Sequence, residues 1–248
     1  MATFVLVPGF WLGGWAWREV AHHLSEAGHQ TYPITLTGLA DRVHLAAPDV
    51  GLDTHITDVL NVIRYNDLRD VVLVGHSGAN MPVTGVADRA PDRLARVVYV
   101  DSGPLPDGMA QLDFNDPQAR EEVEKQVASE GDGWRIPVPD FDPAADPVNL
   151  AGLTEEHLRR MRELSTPQPF RTAADPLRRP ERPPAVPKSL VANTFSLAQV
   201  DKLAGSGNPV FALMNRPEWT RHELPTGHWP MLSRPYELAA LFEEIAAS

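Results

Sequence analysis

Short apolar runs recur along the 248-residue chain, bounded by glycine, proline or polar residues, and longer stretches of helical periodicity separate them. The runs Phe4 to Val7, Thr31 to Leu36, Val71 to Val74, Val97 to Asp101, Ser189 to Asn193 and Arg221 to Leu224 predict strands. Several are apolar without alternation, as strands covered on both faces are. Between them, Trp15 to Ala27, Asp53 to Tyr65, Asn80 to Ala90 and Tyr236 to Ala247 predict helices. The last carries Leu238, Leu241, Phe242 and Ile245 on one face, a stripe suited to core packing. Strands alternating with helices predict an α/β fold, a mostly parallel sheet with helices on both faces.

The alternation lapses after Asp101 and resumes near Lys188. In between lie much of the proline, two amphipathic stretches (Pro117 to Ser129 and Thr154 to Ser165) and a loop-like tract from Asp175 to Pro184, with no strand signal. Phe114, Trp134, Ile136, Phe141, Leu153, Leu158, Met161 and Phe170 need burial, which a disordered linker would not give them. A long insertion of this kind predicts a helical lid at one end of the sheet. The expected division is a core of residues 1–105 and 188–248 and a lid of 106–187. No internal repeat is visible.

The chemistry enters at Val71-Val72-Leu73-Val74-Gly75-His76-Ser77-Gly78-Ala79-Asn80, a strand that feeds a serine flanked by small residues and then a helix. A nucleophile on so sharp a bend brings the positions two before and two after it together, which is why they must be small. Gly75 meets that demand; Ala79 stands where a second glycine is usual, and a methyl is small enough to be tolerated.

Composition narrows the partners. A formal net charge of −11 disfavours nucleic acid and anionic membranes. The absence of cysteine excludes disulfides and thiolate metal sites and suits a reducing compartment. Met1-Ala2-Thr3 runs straight into the first strand with no basic flank or long apolar stretch, so neither a signal peptide nor a membrane span is expected, and a cytoplasmic location is.

Four motifs now carry a resemblance. Phe4-Val5-Leu6-Val7-Pro8-Gly9-Phe10-Trp11-Leu12-Gly13-Gly14-Trp15-Ala16-Trp17, Leu36-Thr37-Gly38-Leu39-Ala40-Asp41-Arg42, Gly75-His76-Ser77-Gly78-Ala79 and Thr226-Gly227-His228 resemble α/β-hydrolases related to plant methylesterases, salicylate-binding esterases and hydroxynitrile lyases, in a bacterial-type esterase branch. The similarity runs over about residues 3–108 and 218–247 and thins out between them. It implies a serine hydrolase without cofactor or metal, acting on small carboxylic esters.

On that pattern Ser77 is the nucleophile and His228, late in the chain and just past the last strand, its base. His76 sits beside the serine and is expected to point away from it; His44 could line the site from a nearby loop. His22, His23, His29, His55, His157 and His222 read as surface or packing residues, and none has a metal-ligand spacing. The resemblance places oxyanion donors at the backbone N–H groups of Phe10 and Gly78, with Pro8 replacing a histidine found in many relatives.

The acid departs from the pattern. Relatives place an aspartate after the strand matching Ser189 to Asn193, where this chain reads Asn193-Thr194-Phe195-Ser196. Asp101, at the end of the preceding strand, is the leading substitute; Asp201 and a neutral orienter at Asn193 are the alternatives. Phe10, Trp11, Trp134, Phe141, Phe170, Phe195 and Trp229 are candidate walls of an apolar pocket, with Trp11, Trp134 and Trp229 the chosen substrate contacts. The lyase branch fits poorly: Gly9 replaces its threonine and Trp229 its lysine, so the charge that stabilises cyanide is missing. The expected reaction is cleavage of a small apolar or aromatic ester, of methyl ester or lactone type, with a homodimeric state left open. Non-hydrolytic chemistry on a small metabolite, or a receptor-like binder using the same pocket, are the competing readings.

Overall fold

The computed structural model describes residues 1–114 and 116–248. Its strands are β1 (Thr3–Val7), β2 (Gln30–Pro33), β3 (Val71–His76), β4 (Leu94–Val100), β5 (Arg135–Ile136), β6 (Gln168–Pro169), β7 (Lys188–Ala192) and β8 (Trp219–Glu223). Six of them form one parallel sheet in the order β2-β1-β3-β4-β7-β8. Every residue of β3 is buried, as its uninterrupted apolar run requires of a central strand. The expected strand from Thr31 to Leu36 is shorter than its apolar pattern and stops at Pro33, on the sheet edge where a residue without an N–H is tolerated.

Because side chains alternate across a strand, each strand supplies two cores. Phe4, Leu6, Val72, Val74, Val98 and Val100 face one way, against Trp17, Val20 and Leu24 of the first helical segment and Leu238, Phe242 and Ile245 near the chain end. Val5, Val7, Leu73, Val97 and Tyr99 face the other way. Helices α1 (Arg18–Glu26), α2 (Leu52–Tyr65) and α3 (Asn80–Arg89) cover the first half of the sheet, close to where periodicity predicts them, except that Gly14–Trp17 is a 3₁₀ turn.

Between β4 and β7 the chain forms α4 (Pro117–Glu130), α5 (Glu155–Leu164) and α6 (Arg171–Ala174). Asp116 caps α4, accepting from the N–H groups of Gln118 and Ala119, and Thr154 caps α5 through the N–H of His157. Leu158 and Met161 of α5 enter the core on the α1 side. Against the expectation of no strands here, β5 and β6 pair antiparallel as a small ribbon; two residues each are too few to show a period of two. Phe114, expected to be buried, is half exposed. The chain closes with α7 (Leu197–Gly205), α8 (Pro209–Met214), α9 (Pro230–Ser233) and α10 (Pro235–Ala247). Among the described residues no helix is long and apolar enough to cross a membrane.

Candidate active site

At the carboxyl end of β3 the chain turns at once into α3 through the 3₁₀ turn Ser77–Ala79. Ser77 takes φ +50°, a left-handed conformation that a serine adopts only where its surroundings hold it. The turn is as tight as the spacing of small residues predicts: a Cβ on Gly75 would lie 2.7 Å from Val83 Cγ2 and 3.2 Å from the Ala79 carbonyl oxygen. Ala79 is itself buried, so its methyl is accommodated. The ring of Phe10 occupies the place a side chain on Gly78 would need.

Ser77 Oγ lies 2.8 Å from His228 Nε2, and His228 Nδ1 lies 2.6 Å from Asp101 Oδ2. The serine hydroxyl donates to the first nitrogen; the second carries the proton and donates to the carboxylate, which fixes the tautomer. β3 and β4 are neighbours in register, with His76 opposite Val100, so Ser77 and Asp101 each sit one residue beyond paired strand ends at the same sheet edge. Asp101 leaves the strand at φ +48°. His228 arrives from the loop after β8, anchored by its own N–H to the Asn149 carbonyl at 2.7 Å.

The loop after β7, which lacks a carboxylate, supplies donors instead. Asp101 Oδ1 accepts from the N–H groups of Asn193 at 3.1 Å and Thr194 at 2.9 Å, and Oδ2 from the Thr194 hydroxyl at 2.7 Å. Burial alone would raise this carboxyl's pKa; the hydrogen bond and charge of His228, with the bonds from Thr194, outweigh it and hold the pKa below the ordinary aspartate value. The two alternative acids go elsewhere: Asp201 pairs with Arg221 at 2.6 Å, and Asn193 turns its amide to the Leu224 carbonyl at 2.8 Å.

His76 does point away from the serine, but it is not idle. Its buried ring donates from Nε2 to the His228 carbonyl at 2.6 Å, so it holds the backbone of the histidine that faces Ser77. Burial, and then the neighbouring His228, push its pKa down to about 3. A histidine whose folded pKa lies below its unfolded value contributes full stability above pH ~6.5, and this contribution falls by about 1.4 kcal/mol per unit as pH drops below that. Buried His55, lowered mainly by desolvation, acts in the same direction. His76→Gln, which keeps an amide donor but no titrating group, is expected to flatten the decline of the denaturant midpoint between pH 6.5 and about 4.5. A slope equal to wild type in a urea titration would assign the decline to other groups.

Two cavities meet at the Ser77–His228 pair. One, of about 250 Å³, is walled by Leu105, Phe195, Val210, Phe211 and Met214. The other, of about 520 Å³, is walled by Phe10, Trp11, Phe141 and Trp229, with Asp140, Asp142 and Asp146 around its outer side. Gln111 and Asn149 border both. Of the aromatic residues singled out from sequence, Phe10, Trp11, Phe141, Phe195 and Trp229 are thus at the cavities. Trp134 is not: it is held in the ribbon region, its carbonyl accepting the Phe170 N–H at 2.8 Å and its ring covered by the Arg135 guanidinium. Phe170 packs with Leu112, Val127, Ile136 and Ala173, and His44 is exposed and borders neither cavity. Gln111, Asn149, Thr194 and Met214 leave no mark in the sequence, because single polar or flexible residues outside the strands carry no periodic signal. Among the described residues no group of three or more histidine, aspartate or glutamate side chains is placed to hold a metal ion.

Comparison with known proteins bears on the family and the fold. A family model described as the alpha/beta hydrolase family matches residues 4–241. Carbendazim hydrolyzing esterase of Nocardioides sp. (strain SG-4G) is 49% identical over 102 residues, 41% of this chain and 42% of that protein. The first curated relatives are matched over less than half of their own lengths. Methyl jasmonate esterase 1 of Vitis vinifera is 24% identical over 99% of this chain and 97% of its own. Among solved structures, an extracellular alpha/beta-hydrolase from a Paenibacillus species superposes with a TM-score of 0.79 at 22% identity, over 98% of both chains. Methylketone synthase I of tomato does so at 0.77 and 17% identity, over 99% of this chain and 98% of its own. With the family model spanning nearly its whole length and the fold shared with these structures, this chain belongs to the alpha/beta hydrolase family.

Proposed function

We propose that the protein is a serine hydrolase that cleaves small carboxylic esters through an acyl-Ser77 intermediate. The observation that carries this reading is the unbroken hydrogen-bonded chain from Ser77 through His228 to Asp101, with Ser77 at the junction of two cavities. His228 takes the hydroxyl proton as Oγ attacks the ester carbonyl, and Asp101 stabilises the imidazolium that forms. The N–H of Gly78, near the start of a 3₁₀ turn where no helical acceptor precedes it, and that of Phe10 are assigned to the oxyanion. His228 then returns the proton to the departing alkoxide, and a water activated by the same ring releases the acid. The esterase and methylesterase names of the relatives point the same way.

The apolar walls of both cavities favour an apolar or aromatic group on the ester, and the carboxylates around the larger one disfavour an anionic substrate while helping an acid product to leave. Residues 106–187 act as the lid in this proposal, since Gln111 and Asn149 of that segment border both cavities beside Ser77 and Phe141 walls the larger one. A cytoplasmic location is proposed with it, and a cysteine-free chain is compatible with a reducing compartment. The test is a serine-directed fluorophosphonate followed by peptide mapping, then a panel of methyl, aryl and lactone esters. The adduct is expected on Ser77 and turnover on at least one ester class. Absence of any adduct would sink the hydrolase reading and leave a binding protein; an adduct without turnover on any ester would redirect it to non-hydrolytic chemistry.

A further inference from the structure

Trp11, beside Phe10 in the loop after β1, has φ +66°, a conformation rare for a bulky aromatic residue. Both polar groups of its backbone are held by one distant stretch. Its N–H donates to Gln168 Oε1 at 3.0 Å, and its carbonyl accepts the Thr166 N–H at 3.0 Å. Thr166 also ties in the loop after β2, its hydroxyl accepting the Ala40 N–H at 2.8 Å.

Gln168 is only 1% exposed, and its amide has one orientation that satisfies its neighbours. The oxygen takes the Trp11 N–H, the nitrogen donates to Thr172 Oγ1 at 2.7 Å, and that hydroxyl donates onward to the Pro169 carbonyl at 2.6 Å. Its backbone is registered opposite Ile136 in the β5–β6 ribbon. The Trp11 nitrogen belongs to the peptide group that joins Phe10 to Trp11. Fixing the direction of that N–H fixes the plane of the peptide and so restrains ψ of Phe10, one of the two torsions that separate this plane from the preceding Phe10 N–H. A side chain buried in the inserted segment therefore restrains the backbone next to a donor assigned to the core.

We propose that Gln168 is a positioning residue for the oxyanion site: it pins the left-handed Trp11 so that the Phe10 N–H faces the atom developing charge at Ser77. This rests on the ester-hydrolase reading above. Donors of this kind work only when prearranged, and a loop free to tilt loses transition-state stabilisation without losing ground-state contacts.

The test uses 4-nitrophenyl acetate and the fluorophosphonate on the full chain. Gln168→Met keeps the volume and removes the acceptor; it is expected to lower kcat about 10- to 100-fold with KM within about twofold, and to slow Ser77 labelling in parallel. Gln168→Glu, which when protonated keeps an oxygen for the Trp11 N–H and an O–H for Thr172, is expected to recover part of the loss at low pH. Should Gln168→Met fail to fold, Thr172→Val, which frees the far end of the amide, is expected to give a smaller loss of kcat, again at constant KM. Wild-type kcat in the folded variants, or a rise in KM alone, would overturn the proposal. A lowered Tm with unchanged kcat would do so too, since it marks a merely structural glutamine. If wild type itself neither hydrolyses the ester nor takes the label, the ester-hydrolase reading fails first and this inference with it.

Discussion

Ser77→Ala is expected to lower kcat for ester hydrolysis by roughly 10⁵- to 10⁶-fold, because it removes the hydroxyl that His228 activates. What residual rate persists belongs to the oxyanion donors and to substrate binding. The backbone adds a second, independent signature. At φ +50° alanine carries the same left-handed strain as serine, whereas glycine does not. Ser77→Gly should be as inactive as Ser77→Ala yet more stable than it by about 0.5–1 kcal/mol, a rise in Tm of roughly 1–3 °C. Single-turnover kinetics and melting curves on the two variants read both effects. Equal melting temperatures would show that the bend is not strained, and retained turnover in either variant would remove Ser77 as nucleophile.

Asp101→Asn is expected to lower kcat by about 10³- to 10⁴-fold with little change in KM. The carboxylate accepts four hydrogen bonds, two of them from backbone N–H groups that cannot turn away. An asparagine oxygen takes over the backbone pair, which leaves its NH₂ facing His228 Nδ1. The histidine must then carry its proton on Nε2, and a protonated Nε2 cannot accept from Ser77. The pH dependence supports the same reading. Because the folded pKa of Asp101 lies below its unfolded value, its stabilising contribution is present above the unfolded pKa of ~3.8 and is lost as pH falls through the depressed folded value. Asp101→Asn should lose that part of the acid sensitivity. Asp201→Asn, which only breaks an ion pair with Arg221, should keep kcat within about twofold. A reversal of the two results would move the acid to α7.

The strands were legible because burial on both faces leaves a mark that no side-chain detail disturbs. Val71 to Val74 reads as a central strand from residue type alone, and the small residues around Ser77 announce the bend. The fork at the acid was legible only as a choice among Asp101, Asp201 and Asn193, since settling it needs the register of β4 against β3 and β7. Direction was harder than identity. Trp134 and Trp229 look alike as residues, but one is held in the ribbon beside Arg135 and the other faces His228 at a ring distance of 5.1 Å. Nothing in the sequence signals that Trp11 is left-handed, because tryptophan has no preference for that region and the conformation is imposed by Thr166 and Gln168 from far along the chain. The β5–β6 ribbon escaped for its brevity.

The siting of Asp101 just past β4 has an evolutionary corollary. Ser77 and Asp101 are fixed by the pairing of two adjacent central strands, so their spacing is set by sheet register and not by the length of any loop. The stretch beyond Thr194, through α7 and α8 to β8, is thereby released from carrying the acid itself. It can lengthen, shorten or exchange its helices while the proton relay stays where it is. Since Phe195, Val210, Phe211 and Met214 of that same stretch form one cavity wall, new substrate ranges can be sampled there by insertion and deletion as well as by point substitution.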